Sequence, residues 1–413
     1  MNLPPEVPIV IAASASWETP APVNVHQVAR RLAERGHRVL FFESTGLRAP
    51  SLGSGQDRTR ILARLRALGA RPREVAPRLW VASPWPLPPI GPAWLRSWFQ
   101  RRSAAAAART ARRLGFGSAV LWAFLPTALA LADRLSPRLL VYHCVDDYGA
   151  NPGVDRSWLD AIERRMVARA DVVFATSPVL GARLESCAPR RPVRVVPNVA
   201  DVALFRRALD PQPEPAALVG RARPRAVYVG NLAAYRIDFS LLQAVVDAGI
   251  ELVLIGAVGL GDTSALPADA SRLLASGRVV SIGAQPHGVL ASHLAHCDVG
   301  LIPFLVNDHT RGSMPLKLWE YLAAGLPVVA TDLPNLRGAA AGDAAGMLRL
   351  ASSADAFAAE VTAAAAEPAA RRADRSRAAT PHDWPARMNE LCTAVGGALA
   401  SRETARTVAE ESG

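Results

Sequence analysis

Short runs of aliphatic and β-branched residues recur along this 413-residue chain, and stretches with helical spacing separate them. Parallel strands cannot be joined by a tight hairpin; each needs a crossover, usually a helix. A sustained strand–helix alternation therefore predicts parallel sheets with helices on both faces. In the first half the expected strands are Ile9–Ala13, Val39–Phe42, Trp80–Ala82, Ala119–Phe124, Leu139–His143, Val172–Ala175 and Val193–Val196. Helices such as Val23–Arg35, Ser103–Leu114 and Ser157–Arg169 lie between them. After Arg206–Pro224, a stretch with four prolines, the pattern restarts. Its strands are Ala226–Val229, Leu252–Ile255, Val279–Ile282, Val299–Ile302 and Val328–Ala330, with helices Phe239–Asp247, Gly288–His296 and Leu316–Ala324.

The fold class that follows is α/β, with two doubly wound, Rossmann-like domains facing across a cleft. The expected boundaries are 1–205, a linker at 206–224, a second domain at 225–380, and a terminal helix and tail at 381–413. A chain of this length exceeds one hydrophobic core, and its apolar half is enough to fill two. Doubly wound sheets bind ligands outside the carboxyl ends of their strands. The loops after the strands are therefore where chemistry is expected.

Those loops exclude some classes. The first, Ala13 to Pro20, reads ASASWETP, and no G-x-G-x-x-G or Walker motif follows any expected strand. A dinucleotide-dependent dehydrogenase is disfavoured, because backbone carrying these side chains cannot approach a pyrophosphate as glycines do. Cys144, Cys187, Cys297 and Cys392 form neither a C-x-x-C pair nor a metal set, and read as buried thiols of a reducing cytosol. Pro8–Ala15 reads as a strand rather than a signal peptide, and no apolar run approaches the ~20 residues of a membrane span.

Charge is concentrated. Between Arg58 and Arg113 there are 13 arginines against one acid, Glu74, a net +12 in a chain whose total is +11. Trp85, Trp94, Trp98 and Phe99 interleave with Arg96, Arg101 and Arg102 there. Basic and aromatic residues together suit an anionic membrane surface; a solvated, tryptophan-packed Arg-rich helix fits the same residues. No nucleic-acid fold signature accompanies them. Of the 47 basic residues only Lys317 is a lysine, which suggests a position that wants a compact ammonium rather than a planar fork.

Lys317 falls in the most informative stretch, Asp298 to Pro334: DVGLIPFLVNDHTRGSMPLKLWEYLAAGLPVVATDLP. A strand ends in a polar loop, Asn307–Ser313, and a helix follows, with Ser313 the expected N-cap and Pro315 in the first turn. Lys317 and Glu320 share one helical face. A cation near the helix start and a carboxylate one turn on suit a diphosphate and a ribose diol; a surface Lys–Glu pair has the same spacing.

This stretch resembles the donor-binding segment of bacterial GT-B glycosyltransferases, in which a P-L-K-L-x-E-Y-L-A-A-G-x-P-V-V run follows the loop. The resemblance implies that Glu320 binds the nucleotide ribose and that Thr310, Arg311, Ser313, Met314, Pro315 and Lys317 surround the diphosphate. Tyr228-Val-Gly230-Asn231-Leu followed by Arg236-Ile-Asp238 is similar to the family's phosphate-facing loop, and Ile282-Gly283-Ala-Gln285-Pro to the loop covering the base. Trp17 to Glu43 and Tyr142 to Tyr148 match in the first domain. The similarity runs over roughly residues 8 to 340. Two departures leave the stereochemistry open: Gly312 stands where many retaining members have a second Glu, and the glycine-rich first loop is missing.

Asp146 and Asp147, at the carboxyl end of an expected strand, are the candidates for a catalytic base; capping and solvation would equally explain them. Trp17, Glu18 and His26 are the acceptor-side candidates, and His26 also fits a packing histidine. The expectation is a metal-independent transferase without cofactor. It takes a nucleotide-diphosphate sugar and a glycan, lipid-linked or small-molecule acceptor, in the cytoplasm or peripheral at the inner membrane face, where residues 58–113 meet the anionic surface. A nucleotide-sugar 2-epimerase and a non-catalytic nucleotide-sugar-binding module share the same donor-site pattern.

Overall fold

The computed structural model describes residues 2–19, 22–44, 47, 71–83, 92–258 and 268–411. Contacts divide the chain into one unit, Met1–Val196 with Met388–Gly413, and a second, Pro197–Arg387.

The first unit holds an eight-stranded sheet: β1 (Ile9–Ala12), β2 (Val39–Phe42), β3 (Arg73–Ala76), β4 (Leu79–Ala82), β5 (Val120–Ala123), β6 (Leu139–Cys144), β7 (Val172–Ala175) and β8 (Arg194–Val195). Their order is β3-β4-β2-β1-β5-β6-β7-β8, and every pairing is parallel except β3 with β4. β2, β5, β6 and β7 are buried along their whole length, as expected where helices cover both faces. The pattern of alternation missed β3, because an edge strand reading Arg-Glu-Val-Ala is half charged, which protects an open edge. The expected helix at Ser103 begins ten residues earlier, as Ala93–Arg113. Nothing between Pro92 and Ala104 breaks a helix, so Ser103 is simply carried within it.

The second sheet comprises β9 (Arg225–Val229), β10 (Glu251–Ile255), β11 (Val279–Ser281), β12 (Val299–Ile302), β13 (Val328–Thr331) and β14 (Leu348–Ala351). Its order is β11-β10-β9-β12-β13-β14, with parallel pairing throughout. Gly300 in β12 leaves no side chain where the Tyr321 ring lies. Tyr321 in turn accepts the Val229 amide on its hydroxyl at 2.8 Å, which seats the Lys317–Ala323 helix on the sheet.

The proline-rich stretch 206–224 differs from the expected linker. Leu218 is fully buried, and Arg225, 3% exposed, ties the stretch down. Its guanidinium donates to the carbonyls of Leu218 (2.8 Å) and Arg221 (2.7 Å) and pairs with Glu214 at 2.7 Å. A buried guanidinium is stable only when its donors are satisfied, and these carbonyls do so. The terminal helix Trp384–Glu411 belongs to the first unit from Met388 onward, where Arg402 pairs with Asp171 and Arg138 with Glu403. Among the described residues, no helix is long and apolar enough to cross a membrane.

Candidate functional site

In the second unit the strand order reverses between β9 and β12: the chain leaves β9 toward β10 and β11, and leaves β12 toward β13 and β14. At such a switch point the two following loops diverge, and the space outside the carboxyl ends is open to a ligand. Most of the donor-side candidates sit on the loops that leave these strands, with Lys317 and Glu320 on the helix that follows β12 and Gly283 and Gln285 after β11.

Gly230 ends β9 with φ +146°, and a methyl group there would come within 2.8 Å of the Lys317 Nζ and 3.0 Å of the Tyr228 hydroxyl. A methyl at Gly256, after β10, would overlap the Gly230 carbonyl oxygen. Side chains are thus excluded where backbone and ammonium crowd together. Lys317 reaches back over the sheet end, its Nζ 5.4 Å from the centre of the Tyr228 ring and 6.0 Å from that of Phe304. Burial pushes its pKa down to about 8; Arg236 adds to the fall and Glu320 opposes it. A cation kept at such a cost at a helix start beside the strand ends suits an anionic ligand.

Arg236 lies on the same side, its guanidinium carbon 5.7 Å from the Phe304 ring centre and Nη2 2.6 Å from Nε2 of His309. The two loops are stitched together: Leu305 N–H donates to the Arg236 carbonyl (2.8 Å) and the Asn307 amide to the Tyr235 carbonyl (2.8 Å).

The loop 307–313 contains a one-turn helix, Asp308–Arg311, capped by Asn307. Thr310, fully buried, closes that cap with its hydroxyl, so it shapes the loop. Ser313 is not the N-cap of the next helix, as expected from its position; its hydroxyl donates to the His309 carbonyl at 3.1 Å, and the helix begins at Lys317 with Leu316 at the cap position. The nearer one-turn helix wins the serine because its open carbonyl lies four residues back. Arg311 is exposed, while Met314 and Pro315 are buried. Asn335 donates to the carbonyls of Arg311 (2.9 Å) and Ser313 (3.2 Å), and Asn198 to that of Met314 (2.9 Å), fixing the loop's path.

Glu320, one turn beyond Lys317, has Nε2 of His287 3.8 Å from its carboxylate, and His287 meets the Phe205 ring edge-on. Gly283 turns the preceding loop with φ +76°, and Gln285 folds its amide onto the Ile282 carbonyl at 3.3 Å. Asn231 follows Gly230, and its carbonyl accepts the Tyr228 hydroxyl at 3.1 Å. Sequence reasoning missed His309, His287, Gly256 and Phe304. Their roles come from loops distant in sequence, and only Phe304 and His309 lay within the stretch singled out.

In the first unit the switch point lies between β1 and β5. Asp147, 6% exposed, pairs with Arg156 at 3.0 Å. Asp146 is half-buried and accepts the Asp147 amide at 3.1 Å. Tyr148 is held by the Ser14 hydroxyl from the β1 loop, and burial raises its phenol above the usual range. His26 does not offer a ring nitrogen to a ligand. It is 1% exposed, Nδ1 accepts the Val23 amide (3.2 Å), and Nε2 therefore donates to the Ser16 carbonyl (2.9 Å). Burial lowers its pKa, so it acts as a neutral brace for the loop carrying Trp17 and Glu18. Trp17 packs on His26 and edge-on against Phe41, with Arg30 over its ring, and its amide donates to Glu43 at 2.7 Å. Glu18 is exposed and paired with Arg73 of the edge strand.

Of the basic segment, Trp85 and residues 58–70 lie outside the described residues. In the Ala93–Arg113 helix, Ala104, Ala107, Ala108 and Ala111 face the core. Every described exposed residue is Trp or Arg: Trp94, Trp98, Arg101, Arg102, Arg109, Arg112 and Arg113.

Two family profiles match the chain. Glycosyltransferase Family 4 covers residues 21–204, and Glycosyl transferases group 1 covers residues 223–367. TuaH of Bacillus subtilis (strain 168), a glycosyltransferase named for teichuronic acid biosynthesis, is 26% identical over 227 residues, 52% of this chain. The chain spans just over half that relative's length, 56%. Among solved structures, sucrose-phosphate synthase from Thermosynechococcus elongatus superposes with a TM-score of 0.67 at 18% identity, over 96% of this chain and all of that one. HepE of Anabaena, solved with UDP-glucose, superposes with a TM-score of 0.62 at 14% identity, over 97% of this chain and 100% of that one. At these identities the likeness to the solved structures is one of fold.

Proposed function

Because the chain belongs to the group 1 glycosyltransferases and has their GT-B fold of two Rossmann-like units, we propose that it transfers a sugar from a nucleoside-diphosphate sugar to a glycan or lipid-linked acceptor, with the donor bound at the β9/β12 switch. The observation that carries this reading is Lys317: an otherwise lysine-free chain keeps one ammonium, partly desolvated, against backbone that only glycine permits. Lys317 and Arg236 meet the diphosphate, and Glu320 takes the ribose hydroxyls. The UDP-glucose held by a structural neighbour supports a donor of this class.

As the sugar–phosphate bond breaks, negative charge grows on the departing diphosphate. Lys317 and Arg236 are placed to stabilise it, so transfer proceeds without a required metal. Asp146 is assigned as the base because it is the less buried of the two carboxylates that follow β6, Asp147 being buried against Arg156. The epimerase reading is not favoured, because the family profiles and TuaH are those of glycosyltransferases.

Calorimetry with a panel of nucleoside diphosphates and their sugars, in EDTA, tests the donor site. Glu320→Ala and Lys317→Ala should each weaken the best ligand by about 1.5–3 kcal/mol; unchanged affinity in both folded variants overturns the assignment. Product analysis over an acceptor panel then tests turnover. Acceptor-free epimerisation of the sugar, or binding with neither transfer nor hydrolysis, would replace transfer with one of the two alternatives.

The Trp/Arg face of the Ala93–Arg113 helix supports a peripheral site at an anionic membrane surface, where a lipid-linked acceptor is presented. The protein should sediment with anionic vesicles at low salt and be released as salt shortens the field to ~8 Å. Sedimentation with neutral vesicles alone, or with none, overturns this surface.

A further inference from the structure

The guanidinium of Arg236 meets an imidazole. Nη2 of Arg236 stands 2.6 Å from Nε2 of His309. A guanidinium has donors and no acceptor, so the hydrogen bond forms only if Nε2 presents its lone pair. That requires a neutral ring with its proton on Nδ1. His309 is itself held from several directions. It is 4% exposed, it sits in the one-turn helix that Asn307 and Thr310 cap, and the Tyr235 ring meets it edge-on at 5.1 Å. Tyr235 immediately precedes Arg236, and the Asn307 amide binds the Tyr235 carbonyl. The two loops that leave β9 and β12 are therefore locked to each other on both sides of this contact.

We propose that His309 is a positioning residue for the donor diphosphate: a neutral acceptor that orients Arg236 without adding negative charge beside it. This rests on the donor-site reading above. A carboxylate at this position would hold the guanidinium at least as firmly. It would also place a negative charge beside Arg236, whose guanidinium shares the Phe304 ring with the Lys317 ammonium, and so oppose a phosphate arriving there. The imidazole supplies direction while leaving the field of the two cations intact.

The test uses the full chain and inorganic pyrophosphate as the probe, which needs no knowledge of the base or sugar, with affinity read by calorimetry in EDTA. Arg236→Gln should weaken pyrophosphate about tenfold or more, the loss of a charged hydrogen bond. If it does not, the placement of the diphosphate at Arg236 fails, whatever His309 does. His309→Phe should weaken pyrophosphate roughly fivefold in the parent and less than about twofold in the Arg236→Gln background, because coupling through one contact does not add. His309→Gln, which keeps a neutral acceptor, should stay within about twofold of the parent. His309→Glu should weaken binding at least as much as His309→Phe.

Parent affinity in His309→Phe alongside a weakened Arg236→Gln overturns the proposal. Full affinity in His309→Glu overturns its charge argument. Because His309 is buried, the unmodified protein provides a measurement independent of variant folding: heteronuclear NMR should find His309 neutral in the Nδ1–H tautomer at neutral pH. An Nε2–H tautomer or an imidazolium overturns the proposal outright.

Discussion

The two switch points differ in what their loops are made of. At β9/β12, glycines clear space for backbone, two cations gather around Phe304, and a neutral histidine and an asparagine bridge the loops. Around β1/β5 the loops carry full side chains: Trp17, packed on His26 and Phe41, and an exposed Glu18 after β1, and two aspartates after the neighbouring β6, one of them held by Arg156. The first arrangement has the chemistry of an anion seat, held by backbone and therefore tolerant of few side chains. The second has the chemistry of a surface that side chains define, where a change of residue changes what is recognised without disturbing the sheet.

If that contrast is right, the largest effect belongs to Asp146. Asp146→Asn should cut turnover by about 10²-fold or more while donor affinity stays within about twofold. Asp147→Asn should instead leave turnover near the parent rate and cost about 1 kcal/mol of stability through its lost, half-exposed pair with Arg156. Steady-state rates and denaturant melts read the two apart; the reverse pattern would exchange the roles of these carboxylates.

Lys317→Met should separate function from stability. Holding an ammonium whose pKa falls from 10.5 to about 8 costs the fold roughly 1–3 kcal/mol at neutral pH, a penalty that fades as pH rises from about 8 toward 10.5. Removing the charge should therefore raise the melting temperature by a few degrees while weakening donor binding by the same ~1.5–3 kcal/mol as Lys317→Ala. A variant that is less stable than the parent breaks the account of this seat.

The same residue gives the second switch a pH signature. Donor affinity should be level below about pH 8 and fall above it, by up to tenfold per unit, as the ammonium is lost. Donor titrations across pH 6.5–9.5 check this, and calorimetry at pH 8 in buffers of different ionisation heat should report proton uptake on binding. An affinity flat to pH 9.5 would remove Lys317 from the phosphate contact.

The smallest effect concerns the histidines. Burial lowers the pKa of His26 and His37 in the first unit and of His382 in the second. Each binds its proton more readily unfolded than folded, so stability is present above pH 6.5 and is lost as pH falls, by at most about 1.4 kcal/mol per unit per group. Amide exchange at pH 5.5 against pH 7.5 should show the larger loss of protection in the first unit.

Lys317 shows how far the sequence reached. Its uniqueness among 46 arginines and its spacing from Glu320 marked it without coordinates. His309, eight residues earlier, carried no such mark, because its meaning depends on Arg236, 73 positions away. Asp146 and Asp147 were indistinguishable as neighbours until Arg156 was seen to pair with one of them. His26 fitted both an acceptor-side group and a packing histidine in the sequence, and the backbone partners of both ring nitrogens decide for packing. The stretch 206–224 read as a linker because its prolines are local, whereas the Arg225 contacts that bind it are tertiary.

What the sequence determined by itself was periodic or local: two strand–helix alternations, hence two doubly wound sheets, and the strand–loop–helix block with its lone lysine. These depend on backbone geometry and on which residues can be buried, both of which repeat along the chain and are legible in short windows. Tertiary structure alone decided the strand order that puts β9 beside β12, the edge strand β3, the protonation state that Arg236 requires of His309, and which of two adjacent carboxylates Arg156 holds. Those depend on distances and dielectric surroundings between residues far apart in sequence, and such quantities exist only once the chain is packed.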